Sequence, residues 1–147
     1  MGVDARARGW PTAGTMSTNA PVKLGPYLLF KSLKKGGMAR VFLGFDPDRP
    51  ARLLAIKTLL PKLAGKRAYR EMFESEGKVG QQLNHAHIVE TVDHGAFNGT
   101  PFIAMDFIFG LDLSTVLRHL RKNGRALPIR LAVSLARDVA EGLAHAH

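Results

Sequence analysis

Lys34-Lys35-Gly36-Gly37-Met38-Ala39-Arg40-Val41 is the stretch on which the fold of this 147-residue chain turns. Two adjacent glycines sit between apolar runs. Glycine there lets a backbone turn with positive φ and come close to a ligand, and a plain β-hairpin would explain the pair equally well. Working outward, Tyr27 to Leu33 precedes the pair, and Val41 to Phe45 and Leu53 to Leu60 follow it. Asp46-Pro47-Asp48-Arg49-Pro50 separates the last two runs. Those lengths and breakers predict three successive antiparallel strands.

The third of these strands carries a charge in an unexpected place. Strand alternation puts Leu53, Ala55 and Lys57 on one face and Leu54, Ile56 and Thr58 on the other, so an ammonium sits among apolar neighbours. The next segment, Lys66 to Leu83, predicts a helix whose inward stripe reads Met72, Glu76, Val79 and Leu83. Lys57 and Glu76 are natural mutual partners, since breaking a buried pair costs about 3–5 kcal/mol. The alternative is that Lys57 snorkels from an edge and Glu76 reaches solvent.

Beyond the helix, Ile88 to Val92 and Pro101 to Met105 read as a second hairpin turning at Gly95 to Gly99. Asp112 to Lys122 and Pro128 to His147 read as helices. The class is α+β. Residues 1 to 22, rich in Gly, Ala, Thr, Pro and Arg, are expected to form a disordered tail, within which Met16 is an alternative start.

Composition narrows the chemistry. With no cysteine there are no thiolate zinc sites, thiol nucleophiles or redox dithiols. No apolar run reaches the ~20 residues of a membrane helix and no secretory signal is visible, so the expected location is cytoplasmic, with no membrane partner. The net charge of +9 is uneven: residues 1 to 70 hold 14 Lys/Arg against 3 acids, and residues 71 to 147 hold 7 against 9. The basic residues are not interleaved with stackable aromatics, so no nucleic-acid partner is expected. His85-Ala86-His87 and His145-Ala146-His147 lack an accompanying acidic cluster, and no metal site is assigned to them.

The order of glycine loop, Ala-Ile-Lys strand and inward helical Glu resembles the N-terminal lobe of protein kinases, specifically the bacterial serine/threonine kinases of eukaryotic type. The resemblance runs from about Lys23 to His147. Gly36 to Leu43 resembles the glycine-rich loop, and Leu54-Ala55-Ile56-Lys57 the Val-Ala-Ile-Lys strand. Leu83-Asn84-His85-Ala86-His87-Ile88-Val89 is similar to Leu-Asn-His-Pro-Asn-Ile-Val. Phe102 to Ile108 resembles the fifth strand and hinge, and Gly142 to His147 the end of a C-lobe helix.

The resemblance implies a five-stranded antiparallel sheet plus one helix over 23–106, then a hinge and the first two helices of a truncated C-lobe over 107–147. It implies that Lys57 contacts the α- and β-phosphates of ATP and that Glu76 holds it. Gly36, Gly37, Ala39, Val41 and Ala55 would line the nucleotide, Met105 would be the gatekeeper, Asp106 and Ile108 would hold adenine, and Asp112 the ribose. Lys34 and Ala39 replace two of the family's loop glycines, and Ala86 and His87 replace the usual Pro and Asn. His-Arg-Asp and Asp-Phe-Gly do not occur in the 147 residues, so the protein ligands of Mg²⁺ and the group that orients the acceptor hydroxyl are absent from them. Phosphoryl transfer to a protein substrate is therefore not expected from this chain alone. The last helix carries a broad apolar surface suited to a C-lobe or another partner. The alternative function is a non-catalytic, pseudokinase-like interaction module.

Overall fold

The computed structural model describes residues 20–147. Trp10, Met16 and the expected tail up to Asn19 lie outside the described residues, and Val22, placed in that tail, stands in a strand. The chain divides into two compact units. One ends at Gln82 and resumes over Glu90–Phe107; the other comprises Leu83–Val89 and Ile108–His147. The sequence reading places 23–106 in one lobe and 107–147 in the next. The segment Leu83–Val89, however, joins the C-terminal helices rather than the sheet.

The first unit is an antiparallel sheet of β1 (Val22–Leu24), β2 (Tyr27–Lys35), β3 (Ala39–Phe45), β4 (Leu53–Leu59), β5 (Thr91–Phe97) and β6 (Thr100–Asp106), in the order β1-β2-β3-β4-β6-β5. It has six strands where five were expected. The extra one is three residues long, folded back through Gly25 at φ 59° so that Leu24 faces Tyr27. The second hairpin also differs. It turns at Asn98 and Gly99, both at positive φ, and Gly95 lies inside β5 opposite Phe102. An Asn-Gly pair at positive φ matches the twist of the flanking strands, which is why it wins the turn.

Strand alternation gives the sheet two cores, as the sequence pattern requires. Leu54 and Ile56 join Leu24, Tyr27, Leu29, Phe42, Phe102 and Ala104 on one face. Ala39, Leu59 and Ile103 lie on the other, beneath Leu63 of α1 (Pro61–Ala64) and Phe73 of α2 (Arg67–Gln82). The sheet curls on itself. Tyr27, near one end of the strand order, meets β5 at the other: its hydroxyl donates to Asp93 Oδ2 at 2.8 Å and its ring stands edge-on to Phe102.

Burial, and then the Asp93 carboxylate, push the Tyr27 phenol above its ordinary range. The folded state thus favours the neutral phenol. Its contribution is complete below the unfolded pKa of about 10 and declines as pH rises beyond it. Alkaline titration followed by circular dichroism is expected to show unfolding setting in above about pH 10, less steeply in Tyr27→Phe; identical profiles would contradict the assignment.

Gly44 sits at a point of close packing within the sheet. A Cβ there would lie 2.6 Å from the Leu28 carbonyl oxygen and 2.9 Å from Ile56 Cδ1. Backbone cannot yield as a side chain can, so Gly44→Ala is expected to cost at least the 1–3 kcal/mol typical of overpacking, about 5 °C or more of melting temperature. A Gly44→Ala protein melting with the parent would contradict this close packing.

Helix α2 forms where expected, but its buried face is different. Met72 and Val79 are 56% and 51% exposed, whereas Phe73 and Gly77 are buried. A Cβ at Gly77 would meet His94 Cδ2 at 2.7 Å, and one at Gly80 would meet Thr91 Oγ1 at 2.5 Å. Phe73, Gly77 and Gly80 follow the i, i+4, i+7 spacing of one helix face. Beyond Phe73 that face lies flat on β5, because Gly77 and Gly80 carry no side chains.

In the second unit, α3 (Leu113–Lys122) begins at the cap Asp112 and α4 (Ile129–Ala146) begins after Pro128. After α3 the Arg125 N–H reaches the Leu120 carbonyl and the Gly124 N–H the Arg121 carbonyl, with Gly124 at φ 62°. That double bond pattern stops the helix. The turn Leu83–Val89 sits against α4 at Gly142, whose added Cβ would lie 3.4 Å from the His87 carbonyl oxygen and from Ile88 Cγ1. Ile129, Val133, Val139 and Leu143 of α4 are exposed, the apolar surface expected from the sequence.

Candidate functional site

The β2–β3 hairpin closes between Lys35 and Arg40, and the Gly36 N–H donates to the Ala39 carbonyl oxygen at 2.8 Å. Neither Gly36 nor Gly37 has positive φ, contrary to the expectation for this turn. An added Cβ at Gly36 would meet only the Ala39 oxygen at 3.5 Å, and one at Gly37 nothing within 4 Å. Both glycines are therefore unrequired by the chain's own conformation or packing. What remains of the sequence argument is close approach by something other than the chain. Ala39, in contrast, is committed inward, its methyl buried against the Phe73 cluster.

Register assembles the other residues of this unit. Val41 pairs with Lys57 and Leu43 with Ala55 across β3–β4, and Ala55 pairs with Met105 and Lys57 with Ile103 across β4–β6. Directly opposed residues share a face, so Val41, Ala55, Lys57 and Met105 lie together on the α2 side. Lys57 Nζ donates to both Glu76 carboxylate oxygens, at 2.5 and 2.7 Å, and lies 5.6 Å from the centre of the Phe73 ring. The two side chains are 22% and 47% exposed. The pair exists as expected, but it is too wet for the energy of a buried ion pair. Exposed pairs contribute about 0.2–1 kcal/mol, so its value is positional.

Asp106, at the end of β6, is fixed more firmly than the sequence indicated. Its N–H donates to the Glu90 carbonyl at 3.0 Å, and Arg52 Nε donates to its Oδ1 at 2.7 Å. Arg52 also reaches Glu90 Oε2 at 3.0 Å, and these carboxylates, Asp106 foremost, raise the guanidinium pKa. Neither Arg52 nor Glu90 stands out in the sequence.

The remaining expected residues belong to the second unit. Ile108 is exposed. Asp112 caps α3: its carboxylate accepts from the Thr115 N–H at 2.8 Å and from the Ser114 and Thr115 hydroxyls. A contact to ribose would share those lone pairs.

The histidine pairs have acidic company after all. Asp138 and Glu141 of α4, remote in sequence, bring carboxylates to 3.9 and 3.2 Å from His87 Nε2. Arg137 hydrogen-bonds Asp138 and holds its carboxyl below the ordinary range. His85 stacks on His145 with ring centres 5.0 Å apart.

The family model described as protein tyrosine and serine/threonine kinase matches residues 28–147. The chain belongs to the protein kinase family. Among kinases of known name, it is 34% identical over 125 residues to the tyrosine-protein kinase MasK of Myxococcus xanthus, covering 84% of this chain and 19% of that one. It is 33% identical over 125 residues to the serine/threonine-protein kinase PknD of Mycobacterium tuberculosis, covering 85% and 18%. The solved kinase domain of M. tuberculosis PknI, as its C20A mutant, superposes with a TM-score of 0.74 at 30% identity, over 89% of this chain and 52% of that one. The chain thus spans about a fifth of these named kinases and about half of a kinase domain. The curled sheet with α2 is the kinase N-lobe, and α3 and α4 open the C-lobe.

Proposed function

We propose that residues 23–147 are the ATP-binding part of a bacterial serine/threonine protein kinase acting in the cytoplasm on protein substrates. The observation that supports this most is the Lys57–Glu76 pair, at 2.5 and 2.7 Å, behind a glycine hairpin that needs no glycine for its own sake. Glu76 holds Lys57, whose ammonium meets the α- and β-phosphates as it does in the family. The backbone of the Gly36, Gly37 and Ala39 hairpin comes close to the phosphate chain. Val41, Ala55 and Met105 bound the adenine pocket, with Met105 the gatekeeper. The Asp106 carbonyl and the Ile108 N–H pair with the adenine edge, and Asp112 serves the ribose while capping α3.

Transfer needs more than a cradle. In the family, an Asp orients the acceptor hydroxyl, and an Asn and a second Asp hold Mg²⁺. The motifs that supply them, His-Arg-Asp and Asp-Phe-Gly, are not in the 147 residues, so nucleotide binding is the activity assigned to this chain and transfer is not. A non-hydrolysable ATP analogue is expected to raise the melting temperature of the chain, by an amount that grows with the logarithm of its concentration above Kd. A melting temperature unmoved at millimolar analogue would overturn the assignment.

A further inference from the structure

The side chains of His87, Asp138 and Glu141 converge within the second unit. The carboxylates stand three residues apart on α4 and so face the same way, and the imidazole comes from the Leu83–Val89 turn. Their ligand atoms all lie within 4.8 Å of one another. In a tetrahedral zinc site with bonds of about 2.0–2.1 Å, neighbouring ligand atoms stand about 3.4 Å apart. His87 Nε2 is already 3.2 Å from Glu141 Oε2 and 3.9 Å from Asp138 Oδ1, so closing the set needs only small side-chain rotations.

The supporting frame is tight. Gly142 seats α4 directly against the His87 backbone, and the turn is held by the His87 N–H donating to His85 Nδ1 at 3.2 Å and the Ile88 N–H donating to the His85 carbonyl at 3.0 Å. The three side chains are between about a third and a half exposed, leaving an entry path and room for a water as fourth ligand. Arg137, itself exposed, hydrogen-bonds Asp138 Oδ1, the oxygen that faces His87, and its Nε lies 3.7 Å from Glu141 Oε1, so it must swing into solvent when a cation binds.

We propose that His87, Asp138 and Glu141 form a binding site for a late first-row divalent cation, represented by Zn²⁺, that staples the Leu83–Val89 turn to α4. One imidazole and two carboxylates match the nitrogen and oxygen preferences of Zn²⁺, and a cation offsets the two adjacent negative charges. The site does not involve the nucleotide residues and stands or falls without them.

Calorimetric titration of the chain with Zn²⁺, with Mg²⁺ as the comparison, tests it. One equivalent of Zn²⁺ is expected to bind more tightly than Mg²⁺. His87→Asn and Asp138→Asn should each weaken it about tenfold or more, as even loss of an outer-shell partner typically does. Arg137→Ala should tighten it by freeing Asp138. If His87→Asn fails to fold by circular dichroism, Glu141→Gln, altering a half-exposed side chain, takes its place with the same expectation. No binding by the parent chain, or affinity unchanged in the ligand variants, overturns the site. Affinity unchanged in those variants but lost on replacing His145 and His147 identifies an adventitious ion only.

Discussion

Lys57→Met is expected to move the melting-temperature rise that an ATP analogue produces to at least tenfold higher analogue concentration, while moving the melting temperature of the free chain by only a few degrees. The asymmetry follows from what Lys57 does in each state. In the free chain it makes a half-exposed pair with Glu76, of the class that contributes about 0.2–1 kcal/mol. Met retains an unbranched, polarisable side chain that fills the space beside Phe73. With nucleotide bound, the same ammonium faces phosphate. Hydrogen bonds to charged groups contribute about 1.5–3 kcal/mol each, and 1.4 kcal/mol is tenfold in affinity, so losing the contact removes at least one order of magnitude. Glu76→Gln keeps a hydrogen-bond acceptor but not the charge, and should give a smaller loss. Thermal melts of the three proteins across an analogue titration check this; a full shift in Lys57→Met would remove the phosphate contact from Lys57.

Phe73→Ala should remove a large share of the stability of the first unit. Phe73 is 1% exposed and joins α2 to Ala39, Leu59, Leu63 and Ile103. Truncating a buried Phe to Ala costs about 3–5 kcal/mol, a large share of the 5–15 kcal/mol total of a typical domain. The loss reaches the site as well. Glu76 is carried by α2, and Lys57 lies over the Phe73 ring, so a detached helix takes away the partner and the platform of Lys57 together. Phe73→Leu, which keeps much of the volume, should restore most of the stability. Denaturant unfolding followed by circular dichroism distinguishes these outcomes, and a Phe73→Ala chain within 1 kcal/mol of the parent would show that α2 is held elsewhere.

The sequence was most informative where chemistry conflicts with pattern. Lys57 among apolar strand neighbours and Glu76 on a helix called for each other, and they meet. The alternation of β4 likewise put Leu54 and Ile56 in one core and Lys57 on the other face, as found. The same reading misplaced the buried side of α2, because hydrophobic periodicity counts side chains and this interface works by lacking them at Gly77 and Gly80. Gly95 reads as a turn in the sequence for a related reason: glycine occurs both in turns and inside strands, and only pairing tells them apart. The Arg52–Glu90–Asp106 network and the meeting of His87 with Asp138 and Glu141 join residues 16 to 54 positions apart. Local patterns hold no record of such encounters, which topology alone creates.

The central claim is that Lys57, held by Glu76, faces the phosphates of a bound nucleotide. An ATP derivative bearing a reactive acyl phosphate acylates whichever lysine stands at its phosphate chain, and peptide mass spectrometry then identifies the residue. The account predicts acylation at Lys57, suppressed by excess ATP. Label confined to Lys34, Lys35 or other exposed lysines, undiminished by ATP, would contradict it.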